Sequence, residues 1–249
     1  MRRAAIFWTA VVLIPALTAS LASAAPSITA YVTAAVADSA RPAEDKQRDA
    51  DRKPAETLAF AGVKPGDTVI ELAPGKGYYT RLLSAVVGPK GKVYAVTSPP
   101  KPDKPPPPVQ AIAADPHYGN VTVIMQPIKE VKLPEGVDLV WTSRNYHDFH
   151  NIPDVDVATI NRDVFAALKS GGTYFVLDHA AEAGSGARDT NTLHRIDEET
   201  VKKEVTAAGF KLAGESDILR NKSDPHSAKV FDAEILGHTD QFALKFKKP

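Results

Sequence analysis

The stretch that most constrains the fold is TVIELAPGKGYYTRLL, which runs from Thr68 to Leu83. Its first residues form an apolar run typical of a buried strand, and the residues from Tyr78 onward have helical periodicity. Gly75 and Gly77 lie between the two, and glycine permits both a left-handed backbone and the close approach of a ligand. In open α/β sheets, ligands bind beyond the carboxyl ends of the strands, where this turn lies. The stretch therefore predicts a ligand-binding strand–turn–helix unit, with a tight turn that holds no ligand as the alternative.

Strand and helix patterns alternate along most of the chain. The predicted strands are Thr68–Leu72, Lys92–Val96, Val121–Met125, Val137–Thr142, Thr173–Asp178, Lys211–Glu215 and Gln241–Phe246. The main predicted helices are Tyr78–Val87, Val109–Ala114, Asp154–Leu168 and Glu198–Ala208, and a turn is predicted at Ser170–Gly172. Such alternation implies parallel pairing through right-handed crossovers. We expect an α/β fold with a doubly wound, mostly parallel seven-stranded sheet and helices on both faces.

The N-terminus has the pattern of an export signal. Arg2 and Arg3 precede an apolar run, and Ala22-Ser23-Ala24 offers the small-x-small pattern of a cleavage site. We predict a signal peptide at residues 1–24, an N-terminal arm or helix at 25–53 and the main domain at 54–249. The expected location is the periplasm of a Gram-negative bacterium, without stable membrane association after cleavage. A membrane anchor or a buried helix is the alternative.

Composition narrows the classes of partner. The chain has 30 basic and 30 acidic residues, so no bulk electrostatic footprint indicates nucleic acid. Cysteine is absent, which excludes disulfides, thiolate metal sites and a cysteine nucleophile. We expect a small-molecule substrate and no nucleic-acid partner, and the oligomeric state stays open.

Several segments together resemble a known superfamily. The segment ELAPGKG, Glu71 to Gly77, resembles the first motif of the class I S-adenosylmethionine-dependent methyltransferases. LKSGGTYFVLDH, AAGFKL and DQFALKFKKP extend this resemblance over roughly residues 54–249. With NYHDFH and LHRIDEETV added, the chain resembles a subgroup of exported bacterial methyltransferases. The resemblance implies a Rossmann-like methyltransferase fold and S-adenosylmethionine as the cofactor.

The resemblance also implies which residues contact the cofactor. Glu71 would face its amino acid end, and Gly75 and Gly77 would let the loop wrap around it. Thr97 stands where the family usually places an acid that binds the ribose, and Gln126 stands where an Asp often contacts the adenine amine. The implied cofactor-binding set is Glu71, Ala73, Gly75, Gly77, Tyr78, Thr97 and Gln126. In the charged run from Glu44 to Lys53, Arg48 or Arg52 could contact the cofactor carboxylate, and a solvated helix face is the alternative.

The segment NYHDFH follows the fourth predicted strand, where the superfamily places the substrate. Histidine suits proton removal because its pKa lies near neutrality. We predict His147 as the base, with Asn145 or Tyr146 positioning the substrate. The alternative is that Asn145 caps the next helix and His147 makes only a supporting hydrogen bond.

Histidines are concentrated near this segment. His147, His150, His179 and His194 are four of the seven in the chain. With nearby aspartates, the trio His147, His150 and His179 could form a nitrogen–oxygen site for a divalent metal. Two other classes of protein therefore remain as alternatives. One is an exported protein that keeps the fold but only binds a ligand, and the other is a hydrolase or metal-binding protein.

Overall fold

The computed structural model describes residues 28–130 and 132–249 of the 249-residue chain. The predicted signal peptide lies outside the described residues. The strands are β1 Thr68–Leu72, β2 Lys92–Thr97, β3 Val121–Met125, β4 Val137–Ser143, β5 Leu168–His179, β6 Lys211–Ser216 and β7 Gln241–Lys247. The helices are α1 Ala30–Ala37, α2 Ala43–Gln47, α3 Asp49–Arg52, α4 Pro54–Ala61, α5 Tyr78–Val87, α6 Val109–Ala114, α7 Tyr146–Phe149, α8 Val157–Ala167 and α9 Glu198–Ala207. Within this part of the chain, no helix has the length and apolar character needed to cross a bilayer.

The strands form one seven-stranded sheet in the order β3-β2-β1-β4-β5-β7-β6. The chain moves outward from β1 through β2 to β3, then returns to place β4 on the other side of β1. The carboxyl ends of β1 and β4 therefore flank the point where the winding direction changes. Such a switch point opens a crevice, since the two following loops leave in opposite directions. The loops that begin at Ala73 and Arg144 border this crevice.

The sheet is mixed, which refines the expectation of parallel pairing. β7 pairs antiparallel with both β5 and β6, whereas the other pairings are parallel. Residues 217–240, between β6 and β7, contain no regular helix or strand. Without a crossover helix, the chain turns back and inserts β7 between β5 and β6.

One predicted turn lies inside a strand. Ser170–Gly172 falls within β5, where the register with β4 shifts between the pairs Val137–Leu168 and Leu139–Thr173. The extra residues form a bulge, and Gly171 has a φ of 75° that favours glycine. The bulge bends β5 at its start and leaves its carboxyl end, Asp178 and His179, at the edge of the sheet that carries the crevice.

Both faces of the sheet are covered by helices and apolar side chains. On one face, Trp141 and Phe175 stack with ring centroids 4.2 Å apart beneath α4 and α5. On the other face, Val140 and Tyr174 pack beneath α8 and α9. Neighbouring residues of each strand point to opposite faces, as a pleated strand requires. The helices on both faces confirm that prediction.

The N-terminal arm packs onto the first of these faces. α1 contacts α4 and α5, and its Val32 and Ala35 are buried in the same apolar cluster as Trp141. This packing carries the chain across the domain, so that α2 and α3 reach the crevice. Arg48 and Arg52 arrive at the site by this route.

Candidate functional site

The turn after β1 has a left-handed backbone at three positions. φ is 52° at Ala73, 59° at Gly75 and 80° at Gly77. A Cβ at Gly77 would lie 2.0 Å from the Ile112 side chain, so close packing against α6 also requires glycine there. A Cβ at Gly75 would meet nothing within 4 Å, since this glycine is exposed at the crevice. The turn therefore packs tightly at one end and leaves open space at the other.

Two cavities open at the carboxyl edge of the sheet, and each has a volume of about 190 Å³. The first lies between α3 and the turn, and the second lies beyond β2 and β3. Ala73 and Asn145 line both, so the cavities adjoin at these two residues. Together they form an elongated cleft across the switch point, and its two ends differ in chemistry.

The first cavity is cationic. Arg48, Arg52 and Arg144 line it, and Arg48 is paired with Asp45 at 2.8 Å. Among the described residues, no carboxylate pairs with Arg52 or Arg144. Burial, together with the nearby Arg144 charge, lowers the pKa of Arg52 to about 10. Two partly buried guanidinium groups with no carboxylate partner among the described residues make this end of the cleft chemically suited to an anion.

Tyr78 holds these arginines in place. Its ring lies 4.4 Å from the Arg52 guanidinium carbon and 5.2 Å from that of Arg48. Its hydroxyl donates a hydrogen bond of 2.6 Å to Asp49, which anchors the ring to α3. Cation–π contacts of this kind orient a guanidinium without neutralising it. Tyr78, one of the residues for which the resemblance implied a cofactor contact, lines the first cavity.

Glu71 also lines the first cavity, and its carboxyl group is buried. Thr80 donates a hydrogen bond of 2.5 Å to its Oε2. Burial raises the pKa of Glu71 to about 7, and the Thr80 bond only partly opposes that rise. A cationic ligand group in the cavity would favour the ionised carboxylate. The first cavity therefore offers cations to an anionic group and a carboxylate to a cationic group, side by side.

The second cavity is mainly apolar. Val96, Ile128, Phe149 and Ile152 line it, and these side chains suit a flat apolar group. Its polar side chains are Thr97, Ser98, Gln126, Asn145 and Asp148. Thr97 and Gln126 thus lie at the same end of the cleft, as the resemblance implied.

Asn145 connects the two halves of the cleft. Its Nδ2 donates to the carbonyl oxygens of Ala73, at 3.0 Å, and Ser143, at 2.6 Å. These bonds join the loops after β1 and β4, and they use both Nδ2 protons within the protein, so that Oδ1 is the side-chain atom left to accept. Asn145 occupies the N-cap position of α7, but its side chain makes no capping hydrogen bond there.

Tyr146 lies away from the cleft. It is fully buried, and its hydroxyl bonds to Asn161 at 2.8 Å and Glu204 at 2.9 Å. These contacts tie α7 to α8 and α9 and leave no face of the ring for a substrate. The structure thus brings Asn145 to both cavities and takes Tyr146 into the core.

His147 is buried between two carboxylates and lines neither cavity. Its Nδ1 lies 2.8 Å from Asp178 Oδ1, and its backbone N–H donates to Asp178 Oδ2, also at 2.8 Å. Its Nε2 lies 3.3 Å from Asp148 Oδ1. Burial opposes a charged ring, but Asp178 and Asp148 outweigh it and raise the pKa of His147 to about 10. A ring that keeps its proton at neutral pH does not accept another, so a base at His147 requires that this pairing be disrupted.

The predicted trio of histidines is divided by the fold. His150 Nε2 pairs with Glu204 at 3.2 Å, and His179 Nδ1 bonds to Thr239 at 2.7 Å. Burial lowers the pKa of His179 well below its usual value. The structure therefore does not bring His147, His150 and His179 together as one group of metal ligands. Over residues 28–130 and 132–249, the group of ligand-type side chains that does converge is His147, Asp148 and His194.

Sequence reasoning missed Arg144 as a site residue. It directly follows β4 and has a φ of 61°, an uncommon value for a residue other than glycine. Its Nε donates to Gln241 at 2.9 Å, which links the cleft to the start of β7. The sequence signal was available, since a basic residue at the end of a central strand is well placed for an anion. Arg48 and Arg52 do reach the cleft, as one of the two interpretations of the charged run proposed.

Comparison with known proteins identifies the fold. No family model matches the sequence, and no curated protein matches it. A methyltransferase from Aquifex aeolicus that depends on S-adenosylmethionine is 18% identical over 84% of this chain and 99% of its own, with a TM-score of 0.56. Aeropyrum pernix fibrillarin, solved with natively bound S-adenosyl-L-methionine, is 18% identical over 80% and 76%, with a TM-score of 0.51. The [4+2]-cyclase SpnF is 17% identical over 83% and 81%, with a TM-score of 0.57. The chain has the fold of the class I methyltransferases, which confirms the resemblance at the level of the fold.

Proposed function

We propose that the protein is an S-adenosylmethionine-dependent methyltransferase that acts on a small molecule. The observation that carries this proposal is the pairing of a cationic and an apolar cavity across the switch point, joined at Ala73 and Asn145. S-adenosylmethionine has an amino acid at one end and adenosine at the other. The charged first cavity matches the amino acid in polarity, and the mainly apolar second cavity matches the adenosine.

The first cavity would hold the amino acid end. Arg52 and Arg144, which lack a carboxylate partner among the described residues, would bind its carboxylate, and Glu71 would accept from its ammonium group. The exposed turn at Gly75 leaves room for a ligand against the backbone. The residues at this end of the cleft thus fit the cofactor. Its carboxylate would neutralise the excess of positive charge, and its ammonium group would offset the cost of burying an ionised Glu71.

The second cavity would hold the adenosine. Val96 and Ile128 offer apolar surface to a purine, and Thr97 and Gln126 offer polar atoms at its edges. Thr97 replaces an acidic side chain with a hydroxyl, which binds ribose through weaker, uncharged hydrogen bonds. When bound, the cofactor supplies an electrophilic methyl group. Affinity in the micromolar range is expected, with most of the charge-dependent part coming from the first cavity.

Asn145 is the residue best placed to position an acceptor. It lies where the cavities adjoin, and its Oδ1 can accept from a hydroxyl or an amine. Methyl transfer depends on alignment of the two reacting groups. A hydrogen bond from the substrate to a fixed Asn145 side chain would lower the barrier by orienting the substrate. That His147 acts as the base stays a prediction.

Calorimetric titration of the purified protein with S-adenosylmethionine and S-adenosylhomocysteine tests the proposal. We expect both to bind, and we expect the double variant Arg52→Ala and Arg144→Ala to lose at least about ten-fold in affinity, since charge-assisted hydrogen bonds are strong. Arg162→Ala is the matched control, because among the described residues this exposed arginine pairs only with Asp156, which caps α8, and with Thr159 on α8. Absence of heat with both ligands at two temperatures would show that the cleft does not hold this cofactor.

A second candidate function is ligand binding without methyl transfer. The observation that favours it is Thr97, which provides no carboxylate at the end of β2, and the cyclase SpnF has this fold as well. In this case S-adenosylhomocysteine or a related nucleoside would bind, but no acceptor would be methylated. Transfer of a labelled methyl group to a panel of small hydroxyl, amine and thiol compounds separates the two.

We also propose that the protein is exported and belongs with the exported bacterial methyltransferases that its sequence resembles. The support is the pattern of Arg2, Arg3 and Ala22–Ala24 in the sequence. Mass spectrometry of the protein from a fractionated Gram-negative host tests this. A periplasmic chain that begins near Ala25 is expected, and an intact Met1 in the cytoplasmic fraction would contradict export.

A further inference from the structure

A second group of functional side chains lies beside the apolar cavity, and the cleft does not explain it. One ring nitrogen each of His147 and His194 and a carboxylate oxygen of Asp148 all lie within 4.8 Å of one another. Asp148 Oδ1 is 3.3 Å from His147 Nε2 and 3.5 Å from His194 Nδ1. Two imidazoles and one carboxylate are a common ligand set for divalent transition metals.

The two measured separations match those of ligands around a single ion. Metal–nitrogen and metal–oxygen bonds of about 2.0–2.2 Å at tetrahedral angles place neighbouring ligand atoms about 3.4 Å apart. The separations of 3.3 and 3.5 Å fall on either side of that value. A metal could therefore be accommodated without a large movement of Asp148 toward either histidine.

The His147 ring is held as a ligand would be. Its Nδ1 donates to the fully buried Asp178 at 2.8 Å, and Nε2 therefore points into the group. Nε2 is buried and faces Asp148 Oδ1 at 3.3 Å without a hydrogen bond of acceptable geometry to any described residue. To bind a metal it would release the proton that the two carboxylates hold on the ring. Metal-binding histidines are usually oriented by a carboxylate on the other ring nitrogen in this way. An unpartnered buried nitrogen aimed at a carboxylate and a second imidazole is the observation that indicates a ligand.

The backbone that carries His194 is held in place by its neighbour in the chain. It has a φ of 56°, and the next residue, Arg195, is fully buried. Arg195 binds the Asp224 carboxylate at 2.8 Å and the carbonyl oxygens of Ala180 and Ala228, both at 2.9 Å. These bonds hold the loop against the carboxyl end of β5. The second imidazole is therefore set on a rigid support, as a binding site requires.

We propose that His147, Asp148 and His194 bind a single divalent transition-metal ion, of which Zn²⁺ is the representative. Three protein ligands leave at least one coordination position open, which is typical of catalytic rather than structural sites. Asp148 also lines the apolar cavity, so the metal would lie at the border of the cleft. The open position would take an oxygen, nitrogen or sulfur atom of a small molecule. Metal binding itself does not depend on the proposed methyl donor.

Titration of the chelator-treated protein with Zn²⁺ tests the proposal, with Co²⁺ as a spectroscopic probe of four-coordinate geometry. We expect saturable binding of one equivalent and a rise in melting temperature with bound Zn²⁺. His194→Ala should weaken binding by at least about 100-fold, since even residues behind the ligands change affinity 10- to 100-fold. His238→Ala is the matched control, because this exposed histidine lies near Asp51, away from the group.

Asp148→Asn provides a second variant in case His194→Ala does not fold, since the Asp148 side chain is 46% exposed. It should also weaken Zn²⁺ binding, while circular dichroism and the metal-free melting temperature stay close to those of the parent protein. No saturable binding by the parent protein would overturn the proposal. Equal affinity in the parent, His194→Ala and Asp148→Asn proteins would also overturn it, because the metal would then be bound elsewhere.

Discussion

The first cavity and the histidine group both lie at the carboxyl edge of the sheet, but their charges are balanced differently. Arg52 and Arg144 face the cavity without a carboxylate partner among the described residues. In the histidine group, Asp148 and Asp178 contact one imidazole, and the neighbouring Arg195 is fully paired with Asp224. An excess of positive charge favours binding of an anion, and two carboxylates around the imidazoles favour binding of a cation. The two regions thus differ in the sign of the charge that they would bind, although both lie at the same edge of the sheet.

The largest expected effect on stability comes from removing one partner of the buried Arg195–Asp224 ion pair. Arg195→Met would leave Asp224 buried without its counter-ion, which typically costs about 3–5 kcal/mol. Chemical denaturation of the metal-free protein measures this loss. Arg162→Ala, at an exposed ion pair, should change stability by less than about 0.5 kcal/mol. A loss of similar size in both variants would show that Arg195 is not the buried, paired residue described.

Glu71→Gln tests the one acid of the first cavity. Because burial raises the pKa of Glu71 to about 7, the folded state keeps its proton at a pH where the unfolded state has released it. Stability is therefore greatest below the unfolded pKa of about 4.5 and falls as pH rises through about 7. We expect Glu71→Gln to raise stability by up to about 3 kcal/mol above pH 8 and by little near pH 4.5.

Urea denaturation of both proteins across pH 4.5–8.5 measures this difference, and the same variant should bind S-adenosylmethionine more weakly. A stability gain that is equal at all pH values would contradict ionisation of Glu71 as its cause. Thr80→Val is a useful control, since it removes the hydrogen bond that favours the ionised form. It should increase the pH dependence that Glu71→Gln removes.

Alanine substitutions at the two glycines of the turn should differ in their cost, because Gly77 is closely packed and Gly75 faces open space. Gly77→Ala adds both a strained backbone at φ 80° and a contact of 2.0 Å with Ile112, and should cost about 2–3 kcal/mol. Gly75→Ala meets open space at φ 59° and should cost about 1 kcal/mol. Thermal denaturation measures both, and a double-mutant cycle with Ile112→Ala isolates the steric part. If Gly75→Ala costs more than Gly77→Ala, the described packing of α6 is incorrect.

The smallest expected effect is a gain in stability. Arg52→Gln removes one of two neighbouring positive charges, and relief of this repulsion should raise stability by less than about 1 kcal/mol. The gain should shrink in high salt and reverse when S-adenosylhomocysteine is present, since the parent protein then has its anion. Melting temperatures with and without ligand measure both parts. Loss of stability in low salt without ligand would show that Arg52 is already balanced.

Much of the fold could be predicted from local patterns. β1, α5, α6 and β3 have the bounds expected from the sequence, because burial periodicity and turn residues act over a few positions. The prediction of a turn at Ser170–Gly172 was wrong, because local patterns do not show which strand will pair with this segment. Its glycines correctly indicate a break in regular geometry, but the partner strand β4 turns that break into a bulge.

The candidate site was predicted only in part. Glu71, Tyr78 and Asn145 line the cleft, and Thr97 and Gln126 lie at its apolar end. Tyr146 has a side chain that could bind a substrate, but its position in α7 places the ring in the core. Sequence spacing cannot decide this over a helix of one turn, where two neighbouring positions face opposite surroundings.

By itself, the sequence determined the alternation of strands and helices, the glycine turn and the edge of the sheet where ligands would bind. These follow from backbone preferences and apolar periodicity, which are properties of neighbouring residues. Only the tertiary structure decided that β7 is antiparallel, that Arg52 and Arg144 share a cavity, and that His194 rather than His150 or His179 joins His147. Each of these depends on segments far apart in the chain. Their meeting is set by packing on the sheet, which no local pattern encodes.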